Sequence, residues 1–128
     1  LHTYYPAVVY PWGISTRDLE TPYTNEFKQI VSDATVESRY QVGNSTEVIY
    51  PADGTYEDYA FMQHGVWSIL FELGYSHSPS ESDIKNMIAV NLPGLRRMFE
   101  NAPKVRAANH SFTGKCDHRL RSLDRHDE

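Results

Sequence analysis

Apolar and polar positions along this chain alternate between two spacings, and each change of spacing marks an element. Leu1 to Tyr10 is rich in Tyr, Val and Thr and runs into Tyr10-Pro11-Trp12-Gly13, which reads as a strand ending in a turn. From Thr21 or Thr24, with Pro22 early, apolar residues fall at Phe27, Ile30, Val31 and Ala34. That is one stripe of a helix, with Thr as its N-cap. Residues 40–65 lose the pattern, with Gly43, Gly54 and Gly65 as punctuation, and predict a long irregular segment. Val66 to Leu73 is a mostly apolar run, as in a strand covered on both faces. Ser78-Pro79-Ser80-Glu81 then places a cap, a Pro at the first helical position and a Glu two residues on. The helix it opens carries Ile84, Met87, Ile88, Leu92, Leu95, Met98 and Phe99, with a kink or break expected at Pro93.

Strand, helix, strand and helix in alternation predict an α/β protein, a mixed sheet with packed helices. The strands are too few to close such a sheet, so the fold is incomplete as given. Composition changes little: 40% hydrophobic and 23% charged residues are ordinary for a globular protein. Charged residues interrupt every apolar run before membrane-spanning length, and the net charge of −5 disfavours nucleic acid as a partner. The charge is uneven, −7 over residues 1–103 and +2 over 104–128. We therefore expect a domain portion over 1–103 and a polar tail or linker over 104–128. The single cysteine, Cys116, falls in that tail and is either a surface thiol or half of a disulfide with an outside partner.

Glu72 is the residue whose chemistry stands out. It closes a strand built from Val66, Trp67, Ile69, Leu70 and Phe71. A carboxylate there is either solvated at the strand's end or desolvated, and desolvation raises a carboxyl pKa toward the range a general acid/base needs. His2 lies in an aromatic stretch and is either a hydrogen-bonded structural residue or a metal ligand. Tyr50 sits on a Pro- and Gly-flanked loop, as a mobile hydrogen-bond donor or a plain surface aromatic. The chain holds no His-x-x-Glu, no His-Glu-x-x-His and no Cys pair, so its motifs assemble no complete zinc site.

Three segments together resemble the zinc metallocarboxypeptidase family, of carboxypeptidase A/B type. Leu1-His2-Thr3-Tyr4 before Tyr10-Pro11-Trp12-Gly13 is similar to the stretch carrying that family's third zinc ligand. Ile49-Tyr50-Pro51-Ala52-Asp53-Gly54, with Asp58 and Gln63, resembles its mobile substrate-binding tyrosine loop. Phe71-Glu72-Leu73 resembles the strand bearing its catalytic glutamate. Their order and spacing agree with the family over about the first 100 residues, which correspond to the C-terminal half of its catalytic domain.

The resemblance implies a fragment of an exopeptidase that hydrolyses the C-terminal bond of peptides and proteins. His2 would be one ligand of a single zinc ion and Glu72 the general base toward zinc-activated water. Tyr50 would close over the substrate and Tyr4 would line a neighbouring subsite. Glu57 would stand at the base of the terminal-residue pocket, beside Gly13 and Ser45, and favour Lys or Arg; pointing outward, it would leave that pocket apolar. The remaining zinc ligands and the substrate-clamping arginines belong to the missing N-terminal half, so the isolated chain is expected to be inactive. Gly74 stands where digestive members carry an arginine, and the interval from Glu72 to Pro79 is shorter than theirs. A secreted or periplasmic location is implied by the same resemblance. The competing readings are a peptide-binding or scaffold domain that kept the fold without catalysis, and a structural piece that works only with another chain.

Overall fold

The computed structural model describes residues 1–112, in the order β1 (Ala7–Tyr10), α1 (Thr24–Ala34), β2 (Gln41–Asn44), α2 (Ser45–Val48), α3 (Tyr56–His64), β3 (Leu70–Glu72) and α4 (Glu81–Asn101). The strands form one mixed sheet ordered β2-β1-β3. β1 pairs β2 in parallel, Ala7 opposite Gln41 through Tyr10 opposite Asn44, with α1 as the crossover between them. It pairs β3 antiparallel, with Ala7 opposite Glu72 and Val9 opposite Leu70. All four β1 residues are buried, as a central strand covered on both faces requires. The α/β sheet with packed helices expected from the sequence is the one observed.

Aromatic rings fill the core. Phe27 of α1 stacks on Tyr10, and Trp12 and Phe61 meet edge to face at 5.3 Å. α4 covers α1 so closely that a Cβ at Gly94 would collide with the backbone carbonyl of Ala34. Beyond that contact Arg97 donates from Nε and Nη2 to the Asp33 carbonyl at 3.0 and 2.9 Å, and pairs with Glu37. A cation there satisfies carbonyls that the end of α1 leaves free. Packing continues past Pro103: Trp67 Nε1 donates to the Val105 carbonyl, the Ala107 amide to the Gly65 carbonyl, and Ala107 is buried. Cys116 lies outside the described residues.

Local readings needed correction in five places. The first strand pairs only over Ala7–Tyr10, because Pro6 precedes it and the chain before Pro6 meets β3 instead at His2. Tyr23, not a Thr, holds the α1 cap position; the Thr21 and Thr24 hydroxyls are engaged in the turn ahead of the helix. Residues 40–65 are not one irregular segment. β2 takes its form from its distant partner β1, and the buried residues of α3 include Glu57 and Asp58, so no apolar stripe announces that helix. Of the run from Val66 to Leu73 only Leu70–Glu72 has a strand partner. α4 starts two residues late, with Ser80 as cap and Asp83 completing the capping box, and it continues through Pro93. Gly94 and Arg97, anchored on α1 just beyond Pro93, hold the second half in line.

Candidate active site

The sheet brings together residues that lie far apart in the chain. The His2 amide donates to the Phe71 carbonyl at 2.7 Å and the Leu73 amide to the His2 carbonyl at 2.8 Å, so residue 2 sits along the free edge of β3. That places the His2 imidazole against the Glu72 carboxylate, Nδ1 lying 3.0 and 3.2 Å from its two oxygens. The His2 side chain is 69% exposed and that of Glu72 only 14%. The carboxylate is therefore mostly withdrawn from water and the imidazole faces the open side.

Two recesses meet at this pair. One, of about 270 Å³, is lined by His2, Ser45, Tyr50, Ala52, Glu57 and Glu72. The other, of about 540 Å³, runs past His2, Tyr4, Tyr50 and Glu72 to His77. Tyr50 is 65% exposed and stands at the junction of the two. Tyr4 meets His77 edge to face at 4.1 Å. All five residues singled out in the sequence, His2, Tyr4, Tyr50, Glu57 and Glu72, thus border one connected space.

Glu57 does not point to water. It is 3% exposed, and its Oε1 has no hydrogen-bond partner. A buried carboxylate oxygen left so is costly, by several kcal/mol where it is charged. Its chain neighbour Asp58 is equally buried but turned the other way, accepting the Gly13 amide at 3.1 and 3.0 Å. Burial pushes the Asp58 carboxyl up to about 7; the bonds from the Gly13 and Ile14 amides oppose that shift, and the nearby Glu57 charge adds to it. The Gly74 amide donates to the Tyr40 hydroxyl at 3.0 Å, which fixes the chain just beyond Glu72.

His2 fits as one donor to a metal ion, since its ring is exposed at the mouth of both recesses. Among the described residues no three His, Cys, Asp or Glu side chains are grouped to hold a metal by themselves. His77 was not singled out in the sequence, and Asp58 was noted there only as part of the tyrosine-loop resemblance, without a role of its own. A second His at the trimmed wall after Glu72 and two adjacent carboxylates behind a Gly-Thr loop were the available signals.

Residues 1–94 match the zinc carboxypeptidase family model, and the chain belongs to that family. A stretch of 71 residues is 35% identical to carboxypeptidase B of Astacus astacus. The match covers 51% of this chain and 23% of that relative, so the chain spans well under half of the curated relative it resembles.

Proposed function

We propose that this chain supplies one side of the active site of a zinc exopeptidase that removes single residues from peptide C-termini. The observation that carries the reading is the His2–Glu72 pair, 3.0 Å apart, at the mouth of a recess also lined by the buried Glu57, whose Oε1 has no hydrogen-bond partner. Zinc, held by His2 together with ligands from the rest of the domain, would supply a Lewis acid beside the scissile carbonyl. Glu72 takes the proton of the attacking water and passes it to the amine nitrogen as the peptide bond breaks. Tyr50, exposed on its loop, closes over the bound C-terminus, and Tyr4 lines the subsite on the far side of the bond. The N-terminal part of the domain is the necessary partner, and the isolated chain is inactive. The net charge of −5 disfavours nucleic acid as a partner, and no helix among the described residues is long and apolar enough to cross a membrane. By family resemblance the enzyme works outside the cytoplasm, secreted or periplasmic.

In the full-length protein Glu72→Gln should lower kcat by about 10²–10⁴-fold or more, with zinc content and peptide affinity near wild type. Unchanged turnover in a folded, metal-loaded variant would remove the central claim. A wild-type protein that binds C-terminal peptides without cleaving them would be the peptide-binding domain instead.

The recess favours a terminal Lys or Arg, because a cation there satisfies the Glu57 oxygen that nothing else reaches. Glu57→Gln should lower kcat/KM for basic termini by roughly 2–4 kcal/mol in transition-state terms and leave apolar termini little changed. Matched peptides differing only in the last residue make the measurement. A preference for Phe or Leu that ignores Glu57→Gln would show this recess to be apolar in use.

A further inference from the structure

We propose that Asp58 is a positioning residue for the terminal-residue recess: by accepting the Gly13 amide it fixes Gly13, and through Gly13 the loop that carries Tyr50. The inference rests on the exopeptidase reading of the same recess and adds to it a side chain that makes no contact with substrate.

Three segments without regular pairing to one another meet at that recess. The loop from Ile49 to Thr55 and the start of α3 line it, and the turn after β1 stands behind that lining, with Gly13 against Ser45 and Ala52. The Gly13 peptide joins all three. Its amide donates to both Asp58 oxygens at 3.1 and 3.0 Å, and its carbonyl accepts the Ala52 amide at 2.7 Å. A Cβ added at Gly13 would lie 3.0 Å from Ser45 Cβ and 3.3 Å from the Ala52 carbonyl oxygen. The wall is therefore closed against backbone, with no spare room. Ala52 in turn stands two residues beyond Tyr50, so Asp58, Gly13 and Ala52 form a relay from the helix to the loop that carries Tyr50.

Successive helical side chains point about 100° apart. Glu57 therefore lines the recess while Asp58, one residue on, reaches the backbone behind it. Burying a second carboxylate beside Glu57 is expensive, and the Asp58 side chain is 5% exposed. Buried amides need acceptors, and the Asp58 carboxyl oxygens supply them. The relay explains why the cost is borne at this position: Trp12 packs on Phe61 of α3, but it is Asp58 that holds the Gly13 amide to that helix. His2 and Glu72 are held independently, by main-chain bonds between residue 2 and β3.

The test uses the full-length protein and peptides ending in Arg. Asp58→Leu, close in volume but without an acceptor, should raise KM by about tenfold and change kcat by less than about threefold. Asp58→Asn keeps one acceptor oxygen and should recover most of the KM. Amide exchange reads the relay directly: the Ala52 amide should exchange about tenfold faster in Asp58→Leu, while Val8 and Val9 stay protected. A folded Asp58→Leu protein with wild-type exchange at Ala52 would overturn the proposal. So would one whose kcat falls while KM holds, or an Asn variant no better than Leu. If Asp58→Leu does not fold, Ala52→Pro removes the amide at the far end of the relay and should give the same KM rise; a wild-type KM there overturns the proposal too. Should the wild type cleave no peptide, the exopeptidase reading fails by itself, and Ala52 exchange still decides the relay.

Discussion

Glu57 and Asp58 are neighbours in the chain, both buried, and they carry opposite kinds of duty. Glu57 has an oxygen with no partner and Asp58 has backbone donors. The second of them makes a pH prediction with a definite sign. Its folded pKa of about 7 lies above the ordinary carboxyl value of 3.8, so the protonated form is the one the fold prefers. Its contribution to stability is full below pH 3.8 and is lost as pH rises through about 7, by about 1.4 kcal/mol per pH unit in between. Denaturant unfolding of wild type and Asp58→Asn across that window should show the wild type losing ground to the variant as pH rises. Equal slopes would mean that Asp58 does not titrate there. At this scale the sequence was informative where chemistry is rare in its surroundings. Glu72 ending an apolar run and His2 among aromatics could be singled out on sight, whereas Glu57 was legible only through family resemblance. Asp58 entered that resemblance without a role, because an acidic residue in a polar stretch looks solvated until a distant turn supplies its donors.

Among the elements, α4 shows most clearly what local pattern can and cannot tell. Its apolar periodicity was plain, yet its start was misjudged by two residues. Ser78 and Ser80 both offer caps, and the choice fell to Ser80, whose hydroxyl accepts the Asp83 amide while Asp83 accepts the Ser80 amide. Its place against α1 depends on one small residue. Gly94→Ala gains about 1 kcal/mol of helix propensity. The new Cβ would strike the Ala34 carbonyl, which is backbone and cannot swing aside. Overpacking costs typically 1–3 kcal/mol, and displacement here also weakens the Arg97–Asp33 bonds, so a net loss of about 2 kcal/mol is expected. A urea midpoint equal to wild type would show that α4 can shift at no cost. The short strand β2 and helix α3 escaped notice for a related reason: the forces that define them come from β1, 34 residues before β2, and from the turn at Gly13, 45 residues before Asp58.

At the scale of the molecule, the incomplete α/β sheet and its family were legible because three spaced motifs agreed. What the pattern could not show is how unevenly α4 is covered. Leu95 and Met98 pack on the core, whereas Ile84, Ile88 and Leu92 remain 43%, 57% and 41% exposed. The metal prediction belongs at this scale as well. One exposed imidazole provides one donor, whereas a catalytic zinc site takes three protein ligands. Calorimetric titration of the 128-residue chain should find weak zinc binding or none. Tight stoichiometric binding that survives His2→Ala would count against His2 as a ligand.

The His2–Glu72 contact also has a kinetic consequence. Its partners are 70 residues apart in the chain. Closing a loop of that length costs about 4 kcal/mol of chain entropy before any contact repays it. A pair this distant raises contact order and forms after the local helices have nucleated. Strand β3, which carries Glu72, is three residues long, and its outer side is bonded through residue 2. The edge holding His2 and Glu72 is thus among the last parts to assemble and the first to fray. Destabilising substitutions far from the site should separate His2 from Glu72 well before they unfold the protein.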